Sequence, residues 1–153
     1  MASFASMEKQ QILSILNQPQ PAYLATVDQG EPRVRGIQIY AADQRGLMFQ
    51  TGDMKAMYAE IKANPQVELC VLDPQTQAQI RVRGKFEVCN DLALKKEIAE
   101  HPSRVYLVPM RKAMGDDAFF QMLTVFQMKA ATAQVWTMES NMKPYAPVDL
   151  FKE

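Results

Sequence analysis

Histidine occurs once in this chain, at His101, cysteine twice, at Cys70 and Cys89, and tryptophan once, at Trp136. A zinc site needs three or four soft ligands, which one histidine and two widely separated cysteines do not supply. The cysteines lie in apolar, strand-like stretches and read as buried thiols. No Gly-x-Ser-x-Gly elbow occurs, and any serine or cysteine triad would depend on His101, so triad hydrolysis is set aside. Net charge is missing too: seventeen acidic and seventeen basic side chains leave no global field to draw nucleic acid or an anionic membrane. No apolar run approaches the roughly 20 residues that span a bilayer, and Met1 to Lys9 lacks the basic-then-apolar order of a secretion signal, so a cytoplasmic location is expected. With no Pro/Gly/Ser-rich linker in 153 residues, the expectation is a single domain over 1–153.

What is present is a regular alternation of strand and turn patterns. Met7, Ile12, Leu13, Ile15 and Leu16 form a helical face within 6–17, and Pro19 and Pro21 stop it. Ala22 to Val27, Pro32 to Tyr40 and Gly46 to Thr51 read as strands separated by Asp28-Gln29-Gly30 and Asp43-Gln44-Arg45-Gly46, both turn sequences. A helix is predicted between Asp53 and Asn64, with Met54, Met57, Tyr58 and Ile61 packed on the sheet and Glu60 and Lys62 facing away. Val67 to Leu72 and Ala78 to Val88 are two further strands. Helical stretches follow at Leu92 to Glu100, around Ser103 to Lys112 with Pro109 interrupting, and at Asp116 to Met122. Leu123 to Met138 carries the β-branched and aromatic residues of a closing strand or strand pair. The tail over 141–153 reads as irregular. Meander order with a returning late strand predicts a mainly β (α+β) fold, a small antiparallel barrel over 22–138 with flanking helices, whose closure would remove exposed edges.

Several polar residues converge in that frame. Thr51, Gly52 and Asp53 read as a turn and cap, which puts Lys55 in the first helical turn, where a cation opposes the helix dipole. Alone, Lys55 is a solvated lysine; an anion at the same end would turn the penalty into a gain, because free helix-start N–H groups and an ammonium would meet it together. Arg33 and Arg35, two apart on one strand, share a face and could grip one anion. Their strand neighbours Gly46 to Thr51 in the meander, so arginines, a threonine hydroxyl, Lys55 and helix-end amides fall into one small volume. Arg81, Arg83 and Lys85 also alternate on one face, but zero net charge and the lack of an adjoining aromatic run argue against nucleic acid.

This pattern resembles the pyridoxamine 5′-phosphate oxidase-like family of FMN-binding split barrels. The resemblance is carried by Ala25-Thr26-Val27, Pro32-Arg33-Val34-Arg35, Gly46-Leu47-Met48-Phe49-Gln50-Thr51, Lys55, Asn64-Pro65 and Gln79-Ile80-Arg81-Val82-Arg83-Gly84-Lys85. It implies a split β-barrel homodimer with FMN at the subunit interface. By position it implies Arg35 and Lys55 at the FMN phosphate, assisted by Thr51 and grouped with Arg33. Backbone of Gly36, Ile37 and Gln38 would run along the isoalloxazine ring, with Gln50 beside the pocket. Gln79 would bond the flavin edge, and Trp136 would stand near the flavin, from the partner chain or as a barrel-core anchor. Such a site transfers hydride through the flavin and needs no protein nucleophile, so no catalytic residue is named.

The resemblance departs at one place that bears on substrate. Family enzymes that oxidise pyridoxine phosphate carry an Arg-x-His-like signature after the closing-strand tryptophan, whereas Trp136 is followed by Thr137-Met138-Glu139-Ser140-Asn141. Pyridoxamine phosphate oxidation is therefore not expected. The expectation is an FMN-dependent oxidoreductase acting on an unassigned small molecule, with NAD(P)H a candidate electron donor. The alternative is a flavin- or haem-binding sensor without turnover; other members use a deazaflavin, and scarce histidine weighs against haem.

Overall fold

The computed structural model describes residues 7–143 and 146–151. In chain order the elements are α1 (Lys9–Leu16), β1 (Gln20–Asp28), β2 (Glu31–Ile39), β3 (Ala41–Asp43), β4 (Gly46–Gly52), α2 (Ala56–Ala63), β5 (Gln66–Leu72), β6 (Gln79–Lys85) and β7 (Glu87–Cys89). They continue as α3 (Leu92–Glu100), a 3₁₀ segment Pro102–Leu107, α4 (Val108–Met114), α5 (Asp116–Met122), β8 (Leu123–Met128), β9 (Ala131–Trp136) and β10 (Val148–Leu150). All strand pairs are antiparallel, in a six-stranded sheet ordered β10-β9-β6-β5-β1-β2 and a four-stranded sheet ordered β3-β4-β8-β7.

The local chemistry accounts for much of this. Gln29 and Gly30 both take positive φ, 52° and 81°, as the two-residue turn between β1 and β2 requires. Alternation along β1 buries Ala22, Leu24 and Thr26 while Tyr23 faces out. Between the sheets Phe49 lies 5.1 Å from Phe86 and 5.6 Å from Phe126, centroid to centroid, in a core that Ile12 and Leu16 of α1 also enter.

Four expectations are corrected. The strand expected over Ala78 to Val88 divides at Phe86, whose N–H bonds the Pro65 carbonyl at 3.0 Å and whose side chain is buried; β6 stays in the larger sheet and β7 joins the smaller. The tail is not wholly irregular, since β10 pairs with β9, while 144–145 and 152–153 lie outside the described residues. Pro109 opens α4, where its missing N–H costs nothing, instead of interrupting a helix. Finally, the two sheets do not close: β2 and β10 remain edges of one and β3 and β7 edges of the other. The fold is a split barrel.

Among the described residues no helix is long and apolar enough to cross a membrane.

Candidate ligand site

The site forms where closure fails. After β2 the chain breaks at Tyr40 and returns as β3, which pairs only with Gly46, Leu47 and Met48 of β4; the Tyr40 N–H to Met48 carbonyl bond at 2.8 Å is the last link. Beyond it, among the described residues, Phe49 to Gly52 have no strand on that side, and neither has the outer edge of β2. A cavity of about 470 Å³ opens in this seam, lined by Gly36, Ile37 and Gln38 of β2, by Phe49 to Gly52 of β4, and by Met54, Lys55 and Met57. Tyr106, Leu107, Met110, Met122 and Leu123, from the helical insert and the start of β8, complete the wall.

The Gln38 carbonyl accepts a bond from Arg104 at 3.1 Å, so it points away from β1, and strand alternation turns the main-chain groups of Gly36 the same way, toward the free edge. A Cβ built on Gly36 would meet no atom of the chain within 4 Å. Space is left there for something other than this chain's own side chains.

At the next element the cavity acquires anion-binding chemistry. Thr51 is 6% exposed, and its Oγ1 is a buried atom without a hydrogen-bond partner among the described residues, an arrangement that costs about 1 to 3 kcal/mol unless something completes it. Lys55 is exposed, and no ion pair engages its ammonium among the described residues. Helix α2 begins two residues later than the turn sequence predicted, so Lys55 is its N-cap, in extended geometry with no capping side-chain bond, rather than a first-turn residue. The first N–H groups of α2, unpaired by helix geometry, lie beside it.

Six of the residues expected at the site thus line one cavity: Gly36, Ile37, Gln38, Gln50, Thr51 and Lys55. The other four do not reach it. Arg33 lies at the surface, 3.2 Å from Glu31 and 3.9 Å from Asp28. Arg35 points to the inner face, where Nη2 meets Glu60 Oε2 at 2.5 Å and Nη1 donates to Thr26 Oγ1 at 2.7 Å and to the Leu24 carbonyl at 3.3 Å. The two arginines therefore grip separate carboxylates, not one anion. Glu60, expected to face away from the sheet, is buried because this pairing draws it inward, and Met54, expected in the core, is 67% exposed at the cavity. Gln79 and Trp136 are register partners on β6 and β9, on the outer face of the larger sheet and three and four strands away from β2. Trp136 is half-buried there and donates Nε1–H to Asn141 Oδ1 at 2.9 Å, so it is not a core anchor.

Sequence reasoning predicted the helical stretches between Leu92 and Met122 but gave none of their residues a place in the site. Arg104, on the 3₁₀ segment, has 0% exposure and, among the described residues, no carboxylate partner. Its Nε–H donates to Gln50 Oε1 at 3.1 Å, Nη2 to the Gln38 carbonyl at 3.1 Å and Nη1 to Ser103 Oγ at 3.0 Å, and its guanidinium stands 5.4 Å from the centre of the Tyr40 ring. Burial pulls its pKa below the usual arginine value, yet a guanidinium stays charged in proteins. Gln50 Nε2–H donates onward to Tyr106 Oη at 2.9 Å. Behind Arg104, burial and the bond to Glu97 push the Tyr40 phenol up to about 12. The lone histidine, His101, caps the 3₁₀ segment, its Nδ1 accepting the Ser103 N–H at 3.1 Å. The sequence signal for the insert's part in the site was an arginine and a tyrosine, Arg104 and Tyr106, set among apolar residues.

A sequence model of the pyridoxamine 5′-phosphate oxidase family matches residues 8–137. The chain belongs to that family. A pyridoxine/pyridoxamine 5′-phosphate oxidase of Agrobacterium fabrum is 31% identical over 102 residues, 66% of this chain and 50% of that protein, so the chain spans about half the length of the curated relative it matches. Among solved structures, a NimC/NimA family protein from Clostridium acetobutylicum superposes with a TM-score of 0.65 at 19% identity, over 92% of this chain and 89% of that one, a likeness of fold. A protein described as an F420 reductase does so with a TM-score of 0.56 at 25% identity, over 75% of this chain and 89% of that one.

Proposed function

We propose that this family member binds FMN in the seam cavity as a homodimer and acts as an oxidoreductase between the flavin and a small molecule, with an NAD(P)H-type donor. The observation that carries the reading is the buried, unpartnered Thr51 hydroxyl beside the unpaired Lys55 ammonium at the start of α2. A phosphate there completes all three at once: it accepts from the hydroxyl, the ammonium and the first helix amides. The cavity volume falls in the ordinary range for small-molecule sites, about 300 to 1,000 Å³. Bound FMN would supply hydride or single-electron transfer; this chain's part is to hold the phosphate, offer the free β2 edge at Gly36 to Gln38 to a flat ring, and exclude water with the methionines around it. In this reading Arg35, already neutralised by Glu60, ties β2 to α2, and Lys55 and Thr51 carry the phosphate.

Gln79 and Trp136 enter the reading through a second copy of the chain. They share the outer face of the larger sheet with Tyr23, Val34 and Leu72, which are 59%, 71% and 57% exposed. Three and four strand spacings of about 4.8 Å separate them from β2, too far to serve the same chain's cavity. Two copies packed on these faces about a two-fold axis would bring the partner's β6 and β9 over this chain's β2.

The test is direct. Protein dialysed against excess FMN and then washed should retain flavin absorbance and sediment as a dimer. A colourless protein with no calorimetric response to FMN would sink the proposal. Flavin that is retained but never reduced by NADH or NADPH would support binding and remove the oxidoreductase claim. No gain of activity toward pyridoxamine 5′-phosphate is expected, given Thr137-Met138-Glu139 after Trp136.

A further inference from the structure

A guanidinium offers only donors, so Arg104 Nε–H forces the oxygen of the Gln50 amide to face it. The Gln50 nitrogen is then committed to Tyr106, and with two hydrogens to give it can only donate. Tyr106 Oη is therefore an acceptor on that side, and its own hydroxyl proton has no acceptor among the described residues. Tyr106 lines the cavity beside Gln50, Leu107 and Met110, and burial of Arg104 makes the chain of bonds one-way, since no tautomer or amide flip reverses it. We propose that Tyr106 is a ligand-contacting residue of this site, a hydrogen-bond donor aimed into the cavity by Arg104 acting through Gln50, and that it takes an uncharged carbonyl-type oxygen. Such an oxygen belongs either to a flavin ring or to a quinone-like acceptor substrate; a carboxylate or phosphate is served instead at Lys55. Arg104 and Gln50 are positioning residues. The inference rests on the FMN reading for what fills the cavity, but the direction of the hydroxyl does not depend on it.

Two substitutions remove the donor by different routes. Tyr106→Phe deletes it. Gln50→Glu replaces the amide by a carboxylate that has only acceptors, pairs with Arg104 and captures the Tyr106 proton for itself. The second change adds a partner to a buried cation, so the variant should melt no lower than wild type, which separates the effect from misfolding. Binding of FMN, and of 1,4-naphthoquinone to the FMN-loaded protein, is measured for both variants and for the double variant. Both single changes should weaken one of the two ligands about 3- to 10-fold, the worth of one neutral hydrogen bond, and the double variant should lose no more than either. Weaker FMN with unchanged quinone assigns the oxygen to the flavin; the converse assigns it to the substrate. If wild type takes up no FMN, the FMN reading fails by itself, and naphthoquinone binding to the cofactor-free protein judges Tyr106. Binding of both probes unchanged by Tyr106→Phe, an effect of Gln50→Glu additive to it, or no binding of either probe by wild type would overturn the proposal.

Discussion

Arg35 meets a carboxylate, Glu60, at 2.5 Å, whereas Arg104, with no exposed surface, is surrounded by a carboxamide, a main-chain carbonyl, a hydroxyl and a phenol ring. Arg104 is withdrawn from water and Arg35 only partly so, and both tie separate elements together. The first pair cancels its own charge, and its loss would be felt as instability. The second leaves a positive field in a region of low dielectric, next to a cavity, and its loss would be felt by what occupies that cavity. A buried cation left with dipoles instead of an anion is a feature of sites more than of scaffolds.

The largest effect expected is therefore on folding. Glu60→Ala strands Arg35 and should cost about 1.5 to 3 kcal/mol in urea denaturation, the range for a hydrogen bond to a charged group. Arg104→Met, similar in length and apolar, should cost nearer 1 kcal/mol, because it also removes the desolvation of a charge. Equal losses would erase the distinction between the two arginines. Lys55 supplies a third case, a cation with no ion-pair partner among the described residues, and Lys55→Ala should leave stability unchanged while weakening FMN by about 1 to 3 kcal/mol in calorimetry. Unaltered affinity would return the residue to the solvated surface.

Thr51→Val separates the two kinds of role within one residue. Removing a buried hydroxyl that has no partner should raise the stability of the ligand-free protein by about 1 kcal/mol, while FMN affinity falls by about 1 kcal/mol. Movement of both quantities in the same direction would mean that the hydroxyl faces no ligand. The smallest effect concerns Tyr40, which packs against Arg104. Its folded pKa of about 12 exceeds the unfolded value of about 10, so between those limits the unfolded state binds fewer protons and stability must fall as pH rises. Below the unfolded value the contribution is fully present. The urea midpoint of wild type should drop more than that of Tyr40→Phe between about pH 9 and about pH 11.

Much of the fold was legible because its signals are local. The alternation of Ala22, Leu24 and Thr26, the Gln29-Gly30 turn and the helical spacing of Met57 and Ile61 all act within a few residues. Phe86 was not legible as a corner: nothing near it in sequence differs from strand, and what turns the chain is the carbonyl of Pro65, twenty-one positions earlier. The same limit applies to the site. Thr51 and Lys55 stand next to a turn that announces them, but the fate of Arg35 depended on Glu60 turning inward, and a helical pattern alone put Glu60 outside. Arg104 bonds residues 54 and 66 positions away and belongs to a stretch whose proline suggested a break. Long-range pairing of polar groups leaves no period in a sequence.

Position 36 carries one more consequence. A Cβ at this position would meet no other described atom within 4 Å, and the backbone does not ask for glycine. Folding therefore does not require glycine here, and under the FMN proposal the missing side chain leaves room for a ligand or a second copy against β2. A series from Gly36→Ala to Gly36→Leu becomes a ruler: the folded protein should tolerate every member, and the first member to lose its ligand measures the clearance between β2 and whatever lies against it.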